Sequence, residues 1–201
     1  MTAFDIHSVG IPIITILTGG QRRHSDALVT FIDRLHRYWP APAALWRPQT
    51  SWIAPHQYLS EMDQDNLLDI VMVLREPLVG ADLVVLKEFC LSEERTRTTH
   101  APGRALNINP GLIVHDGVVV ASHKAKPCRE KIGAMCWGQW MCKRNNNGHS
   151  CLSTTSECFA EYAVPSRLAA FSRLADSLRR SSRSLCEMLG HDRCPLDAIA
   201  R

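Results

Sequence analysis

The chain has 201 residues, of which 45% are hydrophobic and 21% are charged, and its formal net charge at pH 7 is +3. These values are close to those of average globular proteins, so they exclude a chain that is disordered throughout. The length favours one domain spanning residues 1–201, and no stretch of sequence reaches the ~20 apolar residues that a membrane-spanning helix needs.

The N-terminal sequence lacks the features of a secretion signal. An apolar run begins at Val9, but no Lys or Arg precedes it, and Asp5 lies where a signal peptide carries positive charge. We therefore expect a cytoplasmic protein whose cysteines meet a reducing environment.

The first 40 residues predict a strand, a turn and a helix. Residues 11–17 are apolar and rich in β-branched side chains, which favours a buried strand that Gly19 and Gly20 end. A helix is predicted over residues 26–38, because four apolar residues recur there at helical spacing. These residues are Leu28, Phe31, Ile32 and Leu35.

The rest of the chain completes a prediction of an α+β fold, in which a mixed sheet packs against helices. A helix is expected over residues 59–74, which are mostly compatible with a helix and carry Asp63 or Asp65 near its start, and Pro77 and Gly80 end it. Residues 83–89 are expected to form a strand. A last helix is expected over residues 166–189, with leucines on one face and arginines on the other.

Residues 112–121 carry the strongest hairpin signal of the sequence. Asp116 and Gly117 can adopt the positive φ values that a type I′ turn requires. This turn predicts that Val114 lies opposite Val119.

Eight cysteines are many for an intracellular chain, and five of them lie within residues 128–158. The run Asn145–Gly148 predicts a four-residue hairpin loop, which places Cys142 opposite Cys151. We therefore expect residues 128–158 to form a cysteine-rich hairpin outside the main sheet. This hairpin belongs to a cysteine-rich basic subdomain at residues 123–164.

The sequence leaves the chemistry of these cysteines open between a structural metal, disulfides and unpaired buried thiols. Zinc is the candidate cofactor, although structural zinc sites usually have ligands in closely spaced pairs and only His149 and Cys151 are close here. The candidate metal ligands are Cys128, Cys136, Cys142, His149, Cys151 and Cys158.

Two further groups of residues could bind anions. The turn from the first strand into the first helix is a candidate phosphate site, because free backbone N–H groups at a helix start attract anions. Its residues are Gly19, Gly20, Arg22 and Arg23. Basic residues of the second half form a candidate surface for a nucleic-acid or protein partner. They are Lys124, Lys126, Arg129, Lys143, Arg144, Arg179, Arg180 and Arg183.

These features support two hypotheses about function. The preferred one is an accessory binding module that engages a protein or nucleic-acid partner through the basic, cysteine-rich second half. The alternative is an enzyme that acts on a phosphorylated small molecule or nucleotide at the Gly19-Gly20 turn. The sequence identifies no catalytic residue, because it carries no hydrolase, metalloprotease or nucleotide-binding motif.

Overall fold

The computed structural model shows a β-sheet with two α-helices packed against it. It describes residues 4–19, 22–39, 42–46, 62, 67–74, 76–96, 104–114, 116–127, 129–144, 152–154, 169, 171 and 173. The elements in chain order are β1 (Val9–Gly19), α1 (Arg22–Leu35), β2 (Pro42–Trp46), β3 (Leu67–Leu74), β4 (Leu78–Val79), α2 (Gly80–Thr96), β5 (Leu106–Val114), β6 (Gly117–Ser122), β7 (Glu130–Gly133), β8 (Cys136–Arg144) and β9 (Leu152–Thr154).

The strands follow the spatial order β2-β3-β1-β5-β6-β8-β7, with β4 paired to β1 and β9 paired to β8. The N-terminal strand therefore lies inside the sheet, where Ile13 pairs with Val73 on one side and with Gly111 on the other. Every described pairing is antiparallel. The α+β class is confirmed, but the described strands form an antiparallel sheet rather than the predicted mixed one.

Both faces of the sheet are buried. One face packs against α1 and α2 through an apolar cluster that includes Ile14, Ile16, Phe31, Leu86 and Ile108. The opposite face carries a second apolar cluster, which includes Ile13, Val71, Val120, Met141 and Phe171. This double burial explains why the central strands read as continuous apolar runs instead of alternating apolar and polar residues. Within the described ranges, no helix is long and apolar enough to cross a membrane.

The predicted strand at 11–17, helix at 26–38 and hairpin at 112–121 are found as β1, α1 and the β5–β6 pair. Of the predicted helix at 166–189, the three described residues are helical, and the rest lies outside the described part of the chain. These three residues are Ala169, Phe171 and Arg173.

Two predicted elements are wrong. Residues 67–74, expected at the end of a helix, form β3 between β1 and β2. Residues 83–89, expected as a strand, lie inside α2. A short apolar run fits a buried strand and a buried helix equally well, and the sheet contacts decide between them.

The β5–β6 hairpin has a different register from the predicted one. Gly117 pairs with Val114, and Val119 pairs with Leu112 rather than with Val114. Gly117 is thus the first residue of β6, and its φ of 153° is one that residues with a side chain rarely adopt.

The predicted cysteine-rich hairpin outside the main sheet is not confirmed, because β8 pairs with β6 within that sheet. The predicted pairing of Cys142 with Cys151 is wrong, since Cys142 pairs with Val118 on one side and with Thr154 on the other. Arg144 pairs with Leu152, so the connection between β8 and β9 is longer than the Asn145–Gly148 run.

Candidate functional site

Helix α2 presents charged side chains to the interior of the protein. Lys87 is 2% exposed, Glu93 is 0% exposed and Glu94 is 4% exposed. Charged groups are costly to bury unless they are paired and hydrogen-bonded. Glu93 is paired with Arg34 of α1 at 2.9 Å, which ties the two helices together. Lys87 and Glu94 instead contact the backbone of the sheet.

Lys87 and Glu94 bind the backbone of β5 at the point where β6 leaves it. The described pairs of β5 with β6 begin at Val114 and end at Gly111. Beyond them, the ammonium of Lys87 donates to the carbonyl oxygen of Ile108 at 2.9 Å, and the Ile108 N–H donates to the Glu94 carboxylate. Two side chains, seven residues apart and hence on one helix face, thus take the place of a neighbouring strand.

Three more polar residues join these two to form what we call the charged cluster, which consists of Lys87, Glu94, Arg104, His123 and Lys124. The Arg104 Nη1 lies 3.9 Å from the Glu94 Oε2. His123 and Lys124 directly follow β6. The cluster therefore lies beside the part of β5 that is not paired with β6, on the side of the sheet that α2 covers.

His123 is the half-buried imidazole of the charged cluster. Burial, together with the positive charges of Lys87, Lys124, Arg104 and Arg95, lowers the pKa of His123 to about 4. The imidazole is consequently neutral at pH 7, with one nitrogen able to accept a hydrogen bond and the other able to donate one.

Glu94 is the acidic member of the charged cluster. Burial raises the pKa of its carboxyl, although Lys87, the Ile108 N–H and Arg104 act in the opposite direction. The cluster thus holds the cations of Lys87, Arg104 and Lys124 around one carboxyl group and one neutral imidazole. This excess of positive charge can attract an anion.

The loop after β6 is attached to the sheet through Arg129. Its Nε donates to Gln139 Oε1 at 2.7 Å, and its Nη1 donates to Ser122 Oγ at 2.6 Å and to the Lys124 carbonyl oxygen at 2.8 Å. Gln139 belongs to β8 and is buried. The two cluster residues of this loop, His123 and Lys124, therefore have a fixed support.

The predicted partner-binding residues occupy several different environments. Lys124 and Lys126 are exposed, whereas the guanidinium of Arg129 is bound within the loop. The Lys143 ammonium lies 4.4 Å from the centre of a Trp140 ring, a cation–π contact. Their role toward a partner stays a prediction. The side chains of Arg144, Arg179, Arg180 and Arg183 lie outside the described residues.

Two of the predicted metal ligands, Cys136 and Cys142, are described, and both are buried free thiols. The described ranges contain no group of three or more His, Cys, Asp or Glu side chains that could hold a metal ion. Zinc binding therefore stays a prediction. The other proposed ligands, Cys128, His149, Cys151 and Cys158, lie outside the described residues.

The two buried thiols should resist alkylation in the folded protein. Burial raises the pKa of Cys136 to about 11 and that of Cys142 to about 12, so little reactive thiolate forms at pH 8. We expect iodoacetamide to label both residues only after denaturation, as measured by mass spectrometry of peptides. Labelling of Cys142 in the native protein at the rate of a solvent-exposed thiol would contradict its buried position.

The predicted anion site at the first turn is described only in part. Gly19 ends β1 and Arg22 begins α1, so the expected strand-to-helix connection is present. Gly20 and the side chains of Arg22 and Arg23 lie outside the described residues. Phosphate binding at this turn, and the enzyme hypothesis that depends on it, stay predictions.

Sequence reasoning missed Lys87, Glu94 and Arg104. The buried positions of α2 recur at helical spacing, but the sequence hides this pattern, since three of them are charged and the apolar Val85 is exposed. The set comprises Leu83, Leu86, Lys87, Cys90, Glu93 and Glu94. No sequence signal places Arg104 beside them, because its position depends on the path of the chain into β5.

Comparisons with curated proteins and with solved structures found no match. A family model described as "Domain of unknown function (DUF4416)" matches residues 22–174. The matched region contains α1, α2 and all five residues of the charged cluster. It covers more than half of the chain, which therefore belongs to the DUF4416 family.

Proposed function

We propose that the protein is a binding protein for an anionic ligand, and that the charged cluster holds the ligand's phosphate group. The observation that carries this proposal is the group of three cations, Lys87, Arg104 and Lys124, that surrounds Glu94 beside the part of β5 not paired with β6. This group and the neutral imidazole of His123 combine positive charge with neutral hydrogen-bonding atoms, which suits a phosphate ligand.

The exposure of the cluster residues supports entry of a ligand from the surface. Lys124 is exposed, the Arg104 side chain is 22% exposed, and Lys87 is buried. A phosphate group arriving from solvent would meet Lys124 and Arg104 before it reaches the interior.

The neutral state of His123 also supports a phosphate ligand. A neutral imidazole can donate a hydrogen bond to one phosphate oxygen, or accept a hydrogen bond from the hydroxyl of a singly protonated phosphate. Of the basic residues predicted to contact a partner, the proposal concerns those at and beside the charged cluster. Lys124 and Lys126 are exposed there. The proposal leaves the role of a binding module unchanged and gives that module a defined anion site.

Phosphate titration at constant ionic strength tests this proposal. We expect phosphate to bind the wild-type protein, and Arg104→Gln and Lys124→Gln each to weaken binding about tenfold, because each removes a charge-assisted contact of about 1.5 kcal/mol. Isothermal titration calorimetry measures the affinity, with sulfate and acetate as competing anions of different shape.

Lys126→Gln is the matched control, because Lys126 is exposed on the same loop but lies outside the charged cluster. We expect this variant to bind phosphate as the wild type does. Equal losses in Lys124→Gln and Lys126→Gln would show only a general effect of surface charge. That result, or absence of phosphate binding by the wild type, would overturn the proposal.

A further inference from the structure

We infer that Arg129 is a positioning residue for the charged cluster, holding His123 and Lys124 in place without contacting the ligand. This inference rests on the proposed function, since it assigns Arg129 a task within the proposed phosphate site. It differs from the prediction drawn from the sequence, in which Arg129 contacts a partner directly.

The contacts of Arg129 connect the loop to a strand of the sheet. Its Nε binds the buried Gln139 of β8, and its Nη1 binds the side chain of Ser122 and the backbone of Lys124. His123 lies between these last two residues in the chain. The guanidinium therefore fixes the chain on both sides of the imidazole.

Two further hydrogen bonds of the loop involve Ser122 and Arg129. Ser122 Oγ, which accepts from Arg129, also accepts from the Lys124 N–H at 3.2 Å. The Arg129 N–H donates to the Lys126 carbonyl oxygen at 3.0 Å, which closes the turn before β7. The loop thus forms one network, and the guanidinium joins the middle of the loop to β8, while Ser122 and Glu130 at its two ends pair with β8 through the backbone.

The two possible roles of Arg129, direct contact with phosphate and positioning of the loop, require different properties of its side chain. A direct contact with phosphate depends mainly on positive charge, which lysine retains. The positioning role depends on the planar fork, which binds Gln139, Ser122 and Lys124 together and which a lysine ammonium cannot reproduce. The variants Arg129→Lys and Arg129→Ala therefore separate the two roles.

The experiment compares Arg129→Lys, Arg129→Ala and Ser122→Ala by phosphate calorimetry and by NMR titration of the His123 imidazole. We expect Arg129→Lys and Arg129→Ala to lose affinity to a similar extent, about tenfold, and Ser122→Ala to lose about threefold. We also expect the pKa of His123 to rise from about 4 toward its usual value in both Arg129 variants, because the imidazole becomes more exposed to solvent and moves away from Lys87.

Wild-type affinity in Arg129→Lys together with loss in Arg129→Ala would overturn the inference in favour of a direct charge contact. An unchanged His123 pKa in Arg129→Lys and Arg129→Ala would also overturn it, since a purely structural role lowers the melting temperature without moving that titration. If the wild type binds no phosphate, the proposed function fails. The His123 titration still decides whether Arg129 positions the loop.

Discussion

Replacing Gly117 with alanine is expected to destabilise the protein by about 3 kcal/mol, a large fraction of the stability of a typical domain. A Cβ atom at Gly117 would lie 2.1 Å from the Cys142 carbonyl oxygen and 3.0 Å from the Lys143 Cα. Both atoms belong to the backbone of β8, so the strand itself must move. The φ of 153° adds conformational strain for any residue with a side chain.

Gly138 provides the matched control for Gly117, because it lies in the same pair of strands, opposite Ala121. A Cβ at Gly138 would meet side-chain atoms, at 3.2 Å from Ile132 and 3.3 Å from Val119, and these can shift. We therefore expect Gly138→Ala to cost less than about 1 kcal/mol. Urea denaturation measures both changes, and equal midpoints for the two variants would contradict the described approach of β6 to β8.

Replacing Glu94 with alanine is expected to destabilise the protein by about 3 kcal/mol, and Glu94→Gln by much less. The alanine variant leaves the buried N–H of Ile108 without its carboxylate acceptor. Glutamine retains an oxygen that can accept the same hydrogen bond. Chemical denaturation of both variants at pH 7 provides the comparison.

Glu94 should also make stability depend on pH. Because burial raises the pKa of Glu94, the folded protein keeps this proton at pH values where the unfolded chain has released it. The stability associated with this group is therefore complete below the unfolded pKa of 4.5 and is lost as pH rises through the folded pKa. Glu94→Gln should lack this decrease, and an identical pH profile in the variant and the wild type would contradict the assignment.

His123 makes stability depend on pH in the opposite direction to Glu94. Its pKa is lowered to about 4, so the folded protein binds this proton less readily than the unfolded chain does. The corresponding stability is present above the unfolded pKa of 6.5 and is lost as pH falls through about 4. A His123→Gln variant therefore separates this contribution from that of Glu94.

The parts of the fold that could be predicted are those in which local chemistry and tertiary packing agree. The first helix has apolar residues on one face and polar residues on the other, and it was found as α1. The strand at 11–17 and the hairpin at 112–121 carry β-branched runs with glycine at their ends. In these segments each local preference matches the final structure.

The prediction failed at α2 for a reason connected with the candidate site. The buried face of this helix contains Lys87, Glu93 and Glu94, and the outer face exposes Val85. Charged residues inside and an apolar residue outside hide the helical periodicity, so the segment reads as a strand. Violations of sequence patterns of this kind are expected at functional sites.

The position of β1 has a consequence for how the chain folds. This strand is synthesised before both of its partners, β3 and β5, which lie much later in the chain. At a synthesis rate of roughly 5–20 residues per second, several seconds pass between the synthesis of β1 and that of the strands that pair with its two edges. Such long-range pairing slows folding, and an exposed apolar strand is prone to aggregation. Assembly of the sheet centre therefore depends on completion of β5.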